Sequence, residues 1–209
     1  MTPDVITQVA FVTGRILHQG TGRPVVGQVR LIAKQGPVVS KVLDDGTFAV
    51  SGHLRFLFPD LAAQPYQLDL TIRADSPQFQ SGFIEQSLVV AIPMGRSFDP
   101  NPPTVPDALV DVGTILLPAD PVNVRGRVFE AENPGTPISG ATVRVLHAGP
   151  PIAAVVTGAD GRYRIDGITV IAPAQIQCSE PMNFKPETRA LLLDFGKLIN
   201  EENFRLAPI

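Results

Sequence analysis

Hydrophobic and polar positions alternate along much of this chain. The clearest run is Tyr66-Gln67-Leu68-Asp69-Leu70-Thr71-Ile72-Arg73-Ala74, apolar at each even number and polar at each odd one. A period of two sends successive side chains to opposite faces, so this run predicts a strand with one buried face. Ala174-Gln175-Ile176-Gln177-Cys178 has the same rhythm. Runs of this kind, bounded by Gly, Pro, Asn and Asp, predict strands near 8–17, 27–33, 38–43, 46–51, 65–74, 81–92 and 109–117. A second set is predicted near 122–131, 141–147, 151–157, 161–166, 170–178, 187–194 and 202–207. A short helix is the competing reading near 58–63 and 191–198.

The two sets are copies of one pattern. Val12-Thr13-Gly14-Arg15-Ile16-Leu17 returns as Val124-Arg125-Gly126-Arg127-Val128-Phe129, and Pro24-Val25-Val26-Gly27 as Pro137-Ile138-Ser139-Gly140. Val29-Arg30-Leu31 returns as Val143-Arg144-Val145. Asp45-Gly46-Thr47-Phe48-Ala49-Val50 returns as Asp160-Gly161-Arg162-Tyr163-Arg164-Ile165. Conserved order at nearly constant spacing implies a duplicated structural unit. Seven short strands per copy imply an all-β fold of two tandem seven-stranded sandwiches. Turn residues at Ala119-Asp120-Pro121 place the boundary there, giving domains 1–119 and 120–209.

The motif residues have folding roles. Asp-Gly supplies the positive φ of a tight hairpin. Phe48 and Val50, like Tyr163 and Ile165, then share one face of the outgoing strand. Gly14 and Gly126 fall inside the first strands, where glycine marks a bulge or a close backbone approach.

In these residues each copy resembles the carboxypeptidase regulatory-like family, within the wider transthyretin (prealbumin)-like and Ig-like sandwiches. Copy two carries the pattern most fully, in Val124/Gly126/Val128, Pro137/Gly140/Ala141/Val143 and Asp160/Gly161/Tyr163/Ile165. Copy one departs from it with Gln28, Phe48 and Val50. The resemblance implies a folding motif with no catalytic residue. It implies an accessory, adhesive or assembly module.

Composition narrows the alternatives. Seventeen basic and 20 acidic residues give a net charge of −3 with no block of one sign, so neither nucleic acid nor an anionic membrane has an electrostatic partner here. No stretch of about 18 apolar residues predicts membrane insertion. The start, Met1-Thr2-Pro3-Asp4, lacks the basic segment and apolar run of a secretory signal, which suggests a cytoplasmic protein, or one incorporated in an exported or virion-like particle. Cys178 is the one cysteine, so no internal disulfide forms.

Candidate chemistry is sparse. His18, His53 and His147 lack the short spacing of a metal site. Asp44-Asp45-Gly46 and Asp160-Gly161 read as turns, because a calcium loop needs several spaced oxygen ligands. Cys178 alternates with Ile176 and Ala174 on a core face and reads as an inert thiol. Ser51, His53 and Asp60 lie close in sequence but lack the nucleophile elbow of a hydrolase. No catalytic, cofactor or metal residue is expected.

The segment 93–108 holds Pro93, Pro100, Pro102, Pro103 and Pro106 and has no counterpart in copy two. Loops of this length inside compact domains are commonly functional. Met94, Arg96 and Phe98 are its candidate partner contacts. The expectation is therefore a non-enzymatic structural or protein-interaction module. Its expected partners are proteins of a larger assembly, for which it would be an adaptor, cap or baseplate part, as in a phage-tail-like contractile injection particle. The alternatives are a carbohydrate or cell-surface binding module and a transthyretin-related hydrolase. The first lacks Trp platforms, and the second lacks its family's C-terminal tetrapeptide at Leu206-Ala207-Pro208-Ile209.

Overall fold

The computed structural model describes residues 9–52, 57–58, 66–92, 109–148, 151–169 and 173–209. The fold is all-β and divides into two compact units. One comprises Met1–His18, Arg23–Pro77 and Ser81–Leu117, the other Gln19–Gly22, Gln78–Gln80 and Pro118–Ile209.

The first unit contains β1 (Val9–His18), β2 (Gln28–Ala33), β3 (Val38–Val42), β4 (Thr47–Gly52), β5 (Tyr66–Asp75), β6 (Phe83–Ile92) and β7 (Val110–Leu117). They form two sheets, ordered β3-β4-β1-β7 and β2-β5-β6. The alternation in β5 is realised as expected, with Tyr66, Leu68, Leu70, Ile72 and Ala74 all buried. Phe11, Val12, Ile16, Phe48 and Val50 supply the opposing wall from β1 and β4. Each Val, Leu, Ile or Phe side chain among them stabilises the sandwich by roughly 1.5–3 kcal/mol through apolar burial.

The second unit contains β8 (Val122–Glu130), β9 (Thr142–His147), β10 (Pro151–Val156), β11 (Arg162–Ile168), β12 (Ala174–Ser179), β13 (Glu187–Leu191), β14 (Ile199–Glu201) and β15 (Phe204–Leu206). Its sheets run β10-β9-β12-β13 and β11-β8-β14, with β15 also on β8. Val124, Val128, Val143, Ile176, Cys178 and Phe204 lie at the centre of its core.

Two expectations need correction. The strand expected near 202–207 is the short β15, and a further short strand, β14, precedes it at Ile199–Glu201; between them Glu202 N still donates to Arg125 O of β8 at 2.9 Å. Residues 192–198 form turns and not a helix. There Asp194 Oδ1 accepts from Gly196 N at 3.1 Å, and Phe195 drops into the core. The helix considered near 58–63 lies, beyond Phe58, outside the described residues.

Both units end with a strand parallel to their first one: β7 runs along β1, and β14 and β15 along β8. The glycine of the first strand makes this possible. A Cβ on Gly14 would sit 2.9 Å from Gly113 O and 2.8 Å from the Phe48 ring. A Cβ on Gly126 would sit 1.8 Å from Glu202 O and 3.0 Å from the Tyr163 ring. Both sites are therefore close approaches of the last strand, each roofed by the hairpin aromatic. The hairpin glycines Gly46 and Gly161 adopt φ of +84° and +70°, the turn geometry the Asp-Gly pairs predict.

The copies differ in their third strand. In the second unit β10 pairs with β9; in the first, β3 pairs with β4 in the opposite sheet. The outer side of β2, where a β10-like strand would lie, pairs with no described strand.

Candidate functional site

Met94, Arg96 and Phe98 lie outside the described residues, as do His53 and Asp60. His18 is buried at the end of β1. His147 ends β9, with Nδ1 3.2 Å from Pro173 O. Among the described residues no group of three or more His, Cys, Asp or Glu side chains converges as metal ligands would. Asp45 and Asp160 work as turn residues: Asp45 Oδ1 accepts from Thr47 N at 2.9 Å and Asp160 Oδ1 from Arg162 N at 3.1 Å. The Thr47 backbone donor holds the Asp45 carboxyl below its ordinary value.

Cys178 is fully buried on β12. Burial pushes its thiol up to about 12, with the Glu187 charge adding to the effect. The thiolate is the nucleophile, so at neutral pH the group is inert. A disulfide reagent at pH 8 should leave the native protein unmodified and label one thiol per chain after unfolding. Because the folded value lies above the unfolded one, the thiol's contribution to stability is complete below about 8.5. It is lost as pH rises towards about 12.

Among the described residues, a dense polar cluster lies at the break between β14 and β15. Tyr163 Oη donates to Glu202 O at 2.5 Å. Arg189 of β13 donates from Nη2 to Glu202 Oε2 at 2.6 Å and to Asn203 O at 2.8 Å. Its guanidinium carbon lies 4.4 Å from the Phe204 ring centroid. Asn203 Oδ1 in turn accepts from Arg127 N at 2.8 Å. Burial, and then the Glu202 charge, raise the Tyr163 phenol above its usual value, so it stays a donor. Apart from Arg189 Nε, which is buried without a hydrogen-bond partner, these groups are spent on main-chain or ionic partners of the same unit. The cluster links the edge strand of one sheet to the last strands of the other. This cluster was not identified from the sequence; the polar triple Glu201-Glu202-Asn203 is the local signal that could have pointed to it.

The other distinctive surface is a cleft in the first unit. It has a volume of about 510 Å³ and is lined by residues 24–30 and 42–44. Val26 and Leu43 on its walls are 64% and 49% exposed. It opens where β3 leaves β2 to join β4. The two strands meet at Leu31, whose N–H is 3.4 Å from Ser40 Oγ.

No family model matches the chain, and no curated protein is significantly similar to it. Solved structures do align with it at low similarity. The Bacillus anthracis TIE protein is 10% identical over 97% of this chain and 34% of its own, with a TM-score of 0.38. The streptococcal ancillary pilin is 12% identical over 99% and 63%, with a TM-score of 0.30. BcpA, the major pilin subunit of Bacillus cereus, is 8% identical over 96% and 70%, with a TM-score of 0.31. The chain thus spans about a third of the TIE protein and under two thirds of the ancillary pilin. At these TM-scores the all-β assignment rests on the chain's own sheets. None of these matches bears on the carboxypeptidase regulatory-like resemblance, and none supports a cytoplasmic location.

No helix among the described residues is long and apolar enough to cross a membrane. Both tyrosines, Tyr66 and Tyr163, are buried. The chain has no Trp, so neither residue type offers an exposed ring on which a sugar could stack.

Proposed function

We propose that the chain is a non-enzymatic structural and protein-interaction module, built from two carboxypeptidase regulatory-like sandwiches over 1–119 and 120–209. The observation that supports it most is how the polar groups of the second unit are used. The Arg189 terminal nitrogens, Glu202, Asn203 and Tyr163 bond to one another or to the main chain, which suits a holding role. Edge strands of sandwiches are natural docking surfaces, because their outward N–H and C=O groups can pair with another chain. Membership of a larger assembly follows from this reading, with a cap, adaptor or baseplate part of a contractile injection particle as its most specific form.

The test is the size of the tagged chain recovered from its own host at native expression. A defined complex with stoichiometric partners, well above the 22.4 kDa monomer, is the expected result. A chain that stays monomeric and partner-free, or one that turns over a ureide, would overturn the proposal.

A further inference from the structure

The two units make different use of the position beside their second strand. In the second, β10 lies antiparallel along β9, and Thr157 at its end seals the junction. Thr157 is buried; its Oγ1 donates to Ile138 O at 2.8 Å and accepts from Ala141 N at 2.9 Å, while its carbonyl accepts from Gly140 N at 3.1 Å. The shared hairpin bonds, Leu43 N to Thr47 O and Gly158 N to Arg162 O, put Val42 at the place of Thr157. Valine has no side-chain donor or acceptor, so this seal cannot form in the first unit. There β3 turns to β4, and the cleft of about 510 Å³ opens beside Gln28–Arg30 at the start of β2.

The ladder of β2 fixes which of its groups face that cleft. Lys34 N donates to Asp69 O at 2.9 Å, so residues of even number point their main-chain groups at β5. Val29, Leu31 and Ala33 point theirs away; Val29 lines the cleft, while Leu31 N already meets Ser40 Oγ of β3 at 3.4 Å. Among the described residues Arg30 makes no ion pair within 4.0 Å, and the one carboxylate lining the cleft is Asp44 on its other wall. Arg30 stands in register with Arg73, which takes the carboxylates of Asp75 and Glu85. Arg30 is held by a neutral acceptor, Gln28 Oε1, at 2.6 Å.

We propose that this cleft accepts an extended strand from a partner protein, antiparallel to β2, apolar towards the cleft and carrying a carboxylate across from Arg30. The sister unit shows the geometry, since its own β10 occupies the corresponding place. A second copy is a poor occupant. Pairing β2 with β2 would set cations near cations, and the one carboxylate of β6, Glu85, is already bound to Arg73. The inference rests on reading the chain as an interaction module.

The test uses the full, isotope-labelled chain and a synthetic peptide with the sequence of residues 151–158 carrying Ala154→Glu, the position that lies across from Arg144 in the sister unit. Saturable amide shifts at Val29 and Arg30, which line the cleft, are expected. The same peptide with Ala154→Lys should bind about tenfold more weakly, as reversing one charge next to an arginine requires. The Arg30→Ala chain should fold and bind both peptides equally. Absence of saturable shifts at millimolar peptide, shifts confined to other edges, or discrimination that survives Arg30→Ala would each overturn the inference. So would concentration-dependent protection of β2 without peptide, which would assign the cleft to a second copy. If the chain joins an assembly but the peptides fail, only this inference falls. If the peptides bind but the chain is partner-free in its host, the broader reading falls.

Discussion

Replacing Gly126 by alanine should cost the second unit about 3 kcal/mol or more. The added Cβ would lie 1.8 Å from Glu202 O, a main-chain atom that cannot rotate aside. Overpacking a core usually costs about 1–3 kcal/mol, more when backbone must move. Here the backbone that must move also accepts the Tyr163 hydroxyl, a bond contributing about 1 kcal/mol. For a unit of this size each kcal/mol corresponds to roughly 4–8 °C in Tm. Urea or thermal unfolding, followed by resonances of the second core, measures the loss. Gly135→Ala is the matched control: nothing lies within 4 Å of its Cβ, and the change should stay within about 0.5 kcal/mol. Gly14→Ala should be milder than Gly126→Ala, because two of its three close contacts are side chains, Val112 and Phe48. A Gly126→Ala variant as stable as the parent would mean that β14 and β15 do not close on β8 as described.

The second large effect is expected from Phe204→Ala, at about 3–5 kcal/mol. Phe204 is fully buried, its ring centroid 6.4 Å from that of Tyr163 and beneath the Arg189 guanidinium. Truncation leaves a cavity and removes the ring face that shelters the cation. Since domains carry about 5–15 kcal/mol in total, the second unit would become marginal. Leu192→Ala, at a position 84% exposed, should be nearly neutral in the same assay. Equal effects of the two substitutions would contradict the core assignment.

These expectations trace how far the fold was legible in the sequence. The alternation in β5 and β12 was sufficient because one face of each is buried, and a period of two records that directly. The glycines of β1 and β8 were legible as close approaches, although the chain that approaches them was not. What remained hidden depends on contacts distant in sequence. Val38-Val39-Ser40-Lys41-Val42 and Pro151-Ile152-Ala153-Ala154-Val155-Val156 are both strand-like, and neither pattern states which sheet it joins. That choice creates the cleft in one unit and fills it in the other. The polar Thr157 at the place of Val42 was its one local signal. Arg189 drew no reading from the sequence, because its partners Glu202 and Asn203 lie far from it along the chain. Met94, Arg96 and Phe98 were proposed on loop length and proline content, and the cleft at the start of β2 stands on different residues altogether.

Native-state hydrogen exchange on the full chain tests most directly whether two separate cores hold the protein and leave one strand edge open. Two slow sets are expected, centred on β1, β4 and β5 in one unit and on β8, β9 and β12 in the other, while the amides of Val29 and Ala33 exchange quickly. Uniformly fast exchange in either set, or slow exchange along the outer side of β2 in the isolated chain, would contradict it.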